Sequence, residues 1–261
     1  MKTILLTGHL GFIGKNLYTT LTQSGYKVIG IEKDFYTIKN WKAHLYNMVK
    51  QSDYVLHVGA ISDTSLQDSK EMFFYNYTVT KLIVDYASTL GIRVIYSSSA
   101  ANYGLGDGVP NNIYGWSKLA AEDYGLKSDC DFIALRYFNV YGPGEEFKNE
   151  MSSVVYKMHK HFKKFGFINL FKGSHGYKNG DQRRDFVYIT DCVDIMLWFK
   201  KNFKPGIYNL GTGNARTFNN VAKIFLNYYG DKNFKKNIRY IQFPKSIKNS
   251  YQSFTKAKIS K

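Results

Sequence analysis

Thr7-Gly8-His9-Leu10-Gly11-Phe12-Ile13-Gly14 is the stretch on which the fold turns. It follows an apolar run, Lys2–Thr7, that reads as a buried strand. It opens a segment in which Ile13, Leu17 and Leu21 recur at helical spacing and which Gly25 closes. Strand, glycine turn and helix in that order predict a phosphate-binding turn. Gly8 permits the tight bend, Gly11 lets the backbone approach a pyrophosphate, and Gly14 allows close packing of helix on sheet. The helix N-terminus, at Phe12 and Ile13, presents N–H groups and partial positive charge to the phosphates. A second strand, Lys27–Ile31, is followed by Glu32, where an acid can bind the adenosine ribose hydroxyls. Lys33 and Lys39 come next and can instead hold a 2′-phosphate, so NAD and NADP both stay open as cofactors.

Outward from this turn, strands and helices alternate. Asp53–Gly59 reads as a strand, Lys70–Leu90 as a long helix stopped by Gly91, and Ile92–Ser97 as the next strand. A glycine-rich loop, a helix near Tyr114–Leu126 and a strand at Phe132–Tyr137 follow. Such alternation predicts an α/β fold, a Rossmann-type doubly wound parallel sheet with helices on both faces. Past Gly142-Pro143-Gly144 the pattern loosens. Helices are expected near Ser152–Phe165, Asp191–Lys200 and Phe218–Tyr229, and strands at Ile168–Phe171, Phe186–Tyr188, Ile207–Leu210 and Ile238–Phe243. The expected division is a dinucleotide-binding domain over 1–142, with returning segments near 186–210, and a smaller mixed substrate-binding lobe over 143–261.

Composition narrows the class. Of 261 residues, 44% are hydrophobic and 21% charged, a globular balance. No apolar run approaches the roughly 18 residues of a membrane helix, and the opening residues read as a strand, not a signal peptide. The two cysteines, Cys130 and Cys192, lack metal-site spacing. No metal site is expected, and a reducing cytoplasm fits. The net charge of +16 suggests attraction to polyanions. The lysines are nevertheless dispersed, and abundant Lys, Asn, Tyr, Ile and Phe point to an AT-rich coding sequence. No specific nucleic-acid partner is expected.

Tyr114-Gly115-Trp116-Ser117-Lys118 sets a phenol and an ammonium four residues apart on one helix face. A phenol with a pKa near 10 is a poor base at neutral pH; a neighbouring ammonium and an oxidised nicotinamide both favour phenolate. Lys118 can also hydrogen-bond the nicotinamide ribose. Ser99, ending Tyr96-Ser97-Ser98-Ser99, can hydrogen-bond the reacting oxygen.

The glycine turn, Ser99 and the Tyr114/Lys118 pair resemble the extended short-chain dehydrogenase/reductase superfamily in its nucleotide-sugar epimerase branch. The later segments sharpen this. Arg136-Tyr137-Phe138-Asn139-Val140-Tyr141-Gly142-Pro143, Lys148, Leu170-Phe171-Lys172-Gly173-Ser174, Arg183-Arg184-Asp185-Phe186-Val187-Tyr188, Tyr208-Asn209-Leu210-Gly211-Thr212-Gly213 and Tyr251-Gln252-Ser253-Phe254-Thr255 occur in order. That series resembles the ADP-L-glycero-D-manno-heptose 6-epimerases. The resemblance implies an isomerase that keeps one NAD or NADP through turnover and oxidises its nucleotide-diphosphate sugar to a transient ketone. Tyr114 would be one acid/base and Lys148 the other, with Ser99 and Lys118 beside Tyr114. Val58, Gly59, Ala60, Ile61, Ser62 and Asn76 would line the cofactor. Asn139 and Val140 would lie at the boundary between substrate and nicotinamide. Phe171, Gly173, Ser174, Arg184 and Tyr251 would hold the nucleotide diphosphate or its sugar; a guanidinium such as Arg184 grips phosphate oxygens bidentately. A homo-oligomer is also implied.

Departures from the family pattern concentrate where the sugar is expected. The loop between Ser99 and Tyr114 is short, Glu150 replaces a Ser, and residues are inserted around Gly176–Gly180. Lys157 stands where a substrate His falls, with His159 and His161 near, and Lys172 replaces an acid. The sequence stops at Lys261, without the family's final helix. Alternative activities are a 4-epimerase or a 3,5-epimerase/reductase. A 4,6-dehydratase is disfavoured because Ala100 and Ala101 follow Ser99 where those enzymes carry Thr-Asp-Glu. A non-catalytic dinucleotide- or nucleic-acid-binding relative is the remaining reading.

Overall fold

The computed structural model describes residues 1–64, 66–106, 108–244 and 251–259. The elements run β1 (Thr3–Thr7), α1 (Phe12–Gln23), β2 (Lys27–Ile31), α2 (Trp41–Lys50), β3 (Tyr54–His57), α3 (Ser69–Phe73), α4 (Val79–Leu90), β4 (Arg93–Ser99), α5 (Ile113–Lys127) and β5 (Phe132–Tyr137). There follow β6 (Asn139–Tyr141), α6 (Val154–Phe165), β7 (Ile168–Phe171), β8 (Arg183–Tyr188), α7 (Ile189–Lys201), β9 (Gly206–Leu210), β10 (Ala215–Thr217), α8 (Phe218–Tyr228), α9 (Phe234–Asn237) and β11 (Ile238–Ile241).

One compact unit comprises the chain to Gly104, Gly108–Tyr137 and Ile189–Leu210. Its sheet has the order β2-β1-β3-β4-β5-β9, and every pairing is parallel. The strands read as near-continuous apolar runs because both faces are covered: Ile4, Leu5 and Leu6 in succession are fully buried. Leu5, Val55, Val94, Tyr96 and Phe132 join Leu45, Val49, Ile83 and Ala121 from the helices in one core. A π-helical turn, Phe74–Thr78, links α3 to α4 and carries Asn76. The helix expected over Lys70–Leu90 is thus continuous but contains a bulge. Gly91, at φ +66°, ends it in the left-handed region, where glycine has no Cβ to clash.

The second unit is built chiefly from Phe138–Tyr188 and the chain from Gly211. It holds a three-stranded sheet, β10-β8-β6, and a parallel pair, β11-β7. Met158, Ile168, Leu170, Phe218, Ala222, Leu226 and Ile238 form its core. Among the described residues, no helix is long and apolar enough to cross a membrane.

Candidate active site

In the first unit the glycine turn is set by backbone contacts. A Cβ on Gly14 would lie 1.8 Å from the Gly8 carbonyl oxygen, and one on Gly8 would lie 2.6 Å from Gly59 Cα. Gly8 also sits at φ +68°. Gly11 differs: a Cβ there would meet only the Gly8 carbonyl oxygen, at 3.2 Å. Internal packing therefore demands Gly8 and Gly14 strongly and Gly11 weakly. Gly11 gives α1 no side-chain cap, and no acid lies in its first turn. This cradle fits a diphosphate. At its edge, Glu32 accepts a hydrogen bond of 2.5 Å from the Leu10 N–H, and His9 Nδ1 lies 3.3 Å from the same carboxylate oxygen. Lys33 is committed elsewhere: its ammonium is 2.5 Å from Glu71 and 4.7 Å from the centre of the Tyr75 ring. Lys39 is exposed.

Val58–Ile61 are half-buried and Ser62 is exposed. Asn76 lies behind this segment. It is fully buried, accepts from the Ile61 N–H at 2.8 Å, and donates to the Ile61 carbonyl at 2.9 Å and to Ser117 Oγ at 2.9 Å. Its amide is bonded to the protein on both sides, so it shapes the segment expected to line a cofactor. Ser117 in turn donates to the Tyr114 carbonyl at 2.7 Å.

Helix α5 brings the Tyr114/Lys118 pair to the end of β4. Asn112 caps it by accepting from the Gly115 N–H at 2.7 Å. Gly115 lets the first turn pack closely, because a Cβ would fall 2.9 Å from the Ala101 carbonyl oxygen. The Tyr114 phenol lies beside the Ser99 side chain. Burial pushes its pKa up, and the Ser99 contact opposes this. The expected lowering of that pKa by Lys118 is absent here. Lys118 is itself buried, donates to the Ser97 carbonyl at 2.7 Å and lies 4.6 Å from the Tyr96 ring centre. Burial lowers its pKa to about 7, against the pull of Glu122. It therefore carries only part of a charge near neutral pH.

Glu122, one further turn along α5, was not among the expected site residues. Its i+4 spacing from Lys118 was the available signal. It is buried and ion-paired to Arg136, with Arg136 Nε at 3.0 Å, and accepts from Ser98 Oγ at 2.6 Å.

In the second unit, Asn139 on β6 donates to the Asp185 carbonyl and to Thr255 Oγ1, both at 3.0 Å. Val140 is paired with Val187 across β6 and β8. Arg184 is 8% exposed and is in no ion pair with a carboxylate among the described residues. Burial lowers its pKa, and its guanidinium packs 4.9 Å from the Tyr251 ring centre. Tyr251 meets Phe171 edge-on at 5.9 Å, and Phe171 stacks on Phe243 at 4.3 Å. Phe171, Arg184 and Tyr251 are thus brought together. Gly173 and Ser174 line an adjoining cleft of about 720 Å³ with Lys172, Tyr177 and Lys178.

Lys148 lies in a 3₁₀ turn, Glu146–Met151, and burial lowers its pKa, opposed by Glu145. His159 bonds to the Tyr229 hydroxyl at 3.0 Å, and His161 to the Phe167 carbonyl and to Asn169. Both imidazoles are engaged in packing their own unit. Asp185 was also missed: it is fully buried and accepts from Thr212 N, Thr212 Oγ1, Gly213 N and Ala257 N at 2.6–2.9 Å. No cluster of metal-binding side chains occurs among the described residues.

A family model for the NAD dependent epimerase/dehydratase family matches residues 4–211. The chain belongs to this family. Among its relatives, the ADP-L-glycero-D-manno-heptose-6-epimerase of Alkalilimnicola ehrlichii is 37% identical, over 98% of this chain and 89% of its own length. The crystal structure of the Helicobacter pylori ADP-L-glycero-D-manno-heptose-6-epimerase has a TM-score of 0.80 at 29% identity, over 92% of this chain and 85% of that one. MoeE5 in complex with UDP-glucose and NAD gives a TM-score of 0.73 at 25% identity, with the same two coverages. In this member of the epimerase/dehydratase family, Gly8, Gly11, Gly14 and Glu32 are the residues suited to hold the dinucleotide.

Gly11→Val is expected to leave the chain folded, because its Cβ meets one atom at 3.2 Å, while weakening NAD binding by about tenfold or more. Gly14→Val, with a Cβ 1.8 Å from a carbonyl oxygen, is expected to unfold it. Circular dichroism and NAD titration of both variants check the contrast; NAD binding by Gly11→Val at unmodified strength refutes it. A second expectation concerns Lys118. Its pKa is about 7 in the fold against an ordinary 10.5, so between those values the unfolded chain holds the extra proton. Stability from this group rises with pH across that window, by up to about 1.4 kcal/mol per pH unit, and its burial penalty is complete below about pH 7. Lys118→Met should lose this rise in urea unfolding measured across the window; parallel profiles for the two chains would exclude it.

Proposed function

We propose that the chain inverts the exocyclic C6 centre of an ADP-glycero-manno-heptose by transient oxidation and reduction. The observation that carries the reaction class is the Tyr114 phenol beside the Ser99 side chain, one helical turn from Lys118 and in the same unit as the glycine cradle. The substrate is supported by the name of the 37%-identical relative and by Arg184, a buried guanidinium without a carboxylate partner among the described residues, which suits a diphosphate. In this reading the first unit binds the dinucleotide and the second the sugar nucleotide.

The bound nicotinamide supplies the hydride acceptor and, when oxidised, a positive charge that favours phenolate. Tyr114 takes the proton from the sugar hydroxyl and returns it. Ser99 steadies both the phenol and the reacting oxygen, and Lys118 holds the nicotinamide ribose. Inversion needs proton exchange with the substrate oxygen in two orientations, and a single phenol reaches one of them well. Lys148 is the second base; the burial that lowers its pKa makes the neutral amine accessible. Phe171, Gly173, Ser174, Arg184 and Tyr251 hold the nucleotide diphosphate and sugar. The two cysteines are buried free thiols, in keeping with a cytoplasmic enzyme.

Incubating the chain with NAD and ADP-D-glycero-D-manno-heptose should yield the L-glycero epimer, and Tyr114→Phe should lower turnover by about a hundredfold or more with NAD binding retained. No epimer from the unmodified chain would sink the substrate assignment, and an active Tyr114→Phe would sink the role of the phenol. We further propose NAD over NADP, because Glu32 stands at the edge of the glycine cradle, where an acid suits ribose hydroxyls, while Lys33 is held by Glu71 and Tyr75. Parallel titrations should give the tighter binding with NAD; the reverse order would reassign Lys39 to a 2′-phosphate.

A further inference from the structure

Behind the glycine cradle lies a buried histidine that the redox chemistry does not use. His57 ends β3 and is the register partner of Thr7 on β1. It is 1% exposed, and both ring nitrogens are engaged. Nδ1 lies 2.7 Å from Thr7 Oγ1, and Nε2 lies 2.8 Å from Thr80 Oγ1. The ends of this chain fix its direction. Thr7 Oγ1 accepts from the Gly59 N–H at 2.8 Å, and Thr80 Oγ1 donates to the Asn76 carbonyl at 2.7 Å. A hydroxyl has one proton to give. Thr80 has spent its proton on Asn76, so it must accept from Nε2. Thr7, already accepting from Gly59, satisfies its own proton only by donating to Nδ1. The opposite tautomer would leave no proton between Nε2 and Thr80 and would strand the Thr7 hydroxyl proton in a buried site.

The polar chain has a consequence at the cradle. Gly59 packs against Gly8 so closely that a Cβ on Gly8 would lie 2.6 Å from Gly59 Cα. The Thr7 hydroxyl holds Gly59 from one side, and at the far end Thr80 bonds to Asn76, whose amide clamps Ile61. We infer that His57, protonated on Nε2, is a positioning residue for the dinucleotide: it orients the Thr7 hydroxyl that sets Gly59 against the glycine turn. The imidazole stays neutral. Burial, with a smaller push from Lys118, lowers its pKa to about 3, and Tyr96 stacks on its ring at 5.6 Å.

This inference rests on the dinucleotide reading, and its test has two readouts. With NAD present, histidine-¹⁵N-labelled protein should show His57 with a bare Nδ1 and a protonated Nε2, unchanged from about pH 8 to about pH 6. A protonated Nδ1, or an imidazolium in that range, overturns it. Thr7→Val keeps the shape and removes the hydroxyl, and should raise the NAD dissociation constant by about fivefold, the equivalent of one hydrogen bond. His57→Leu should do the same. His57→Asn, whose carboxamide oxygen can replace Nδ1 as acceptor, should stay within about twofold of the unmodified chain. Thr7→Val serves even where His57→Leu does not fold. A Thr7→Val chain that melts earlier yet binds NAD normally would make the network structural only and overturn the inference. Failure of the unmodified chain to bind NAD would instead sink the cofactor reading, and this inference with it.

Discussion

The close approach of β1, α1 and the end of β3 is the constraint from which the rest of the first unit follows. Gly8 and Gly14 lie where the backbone approaches closer than a Cβ permits, and Gly59, against Gly8, lies where a Cβ would be tight. Each gives up conformational restriction in the unfolded chain, a cost the fold must offset elsewhere. The offset is visible in the strands. Ile4, Leu5, Leu6, Val55 and Leu56 are fully buried, and their core anchors the strands that end at the turn. Polar anchoring supplements the apolar packing on the same side, through Thr7, His57 and Thr80.

A second buried polar centre organises the other end of the chemistry. Arg136 and Glu122 pair inside the protein, where removing one partner would leave an uncompensated charge. Their neighbours Ser98 and Asn102 flank Ser99, and Glu122 influences Lys118 four residues earlier. The residues that touch the phenol are thus held by residues that do not. In the second unit Asp185 has the corresponding place: one carboxylate gathers Thr212, Gly213 and Ala257 from segments far apart in sequence.

Periodicity and punctuation made most of the first unit legible. β2 and β5 have the expected bounds, and Gly91 stops the long helix as expected. Helix α2 escaped because it follows Asn40 in a left-handed conformation without a side-chain cap and buries only Leu45 and Val49. Strands β6 and β10 are three residues long, too short for alternation to register. The glycine turn, Ser99, Tyr114 and Lys118 were legible as a motif, but the state of Lys118 was not. Sequence spacing places an ammonium near a phenol; it does not reveal that burial takes the lysine to about 7 and that its amine turns to the Ser97 carbonyl. His57 and Asp185 were missed because each acts through partners distant in sequence; Glu122 had its i+4 spacing from Lys118 as a signal, but its pairing with Arg136 and Ser98 is set by the fold.

The position of β9 at the sheet's edge has a bearing on biosynthesis. It pairs with β5 from about seventy residues further along the chain, after about half of the second unit has been made. At about 5–20 residues per second of synthesis, that separation lasts about 4–15 s. Any sheet assembled on the ribosome during this interval ends at β5 with its backbone N–H and C=O groups unpaired, open to strands of other nascent chains. Mutations that slow elongation between β5 and β9 would lengthen that exposure without altering a single contact of the finished protein.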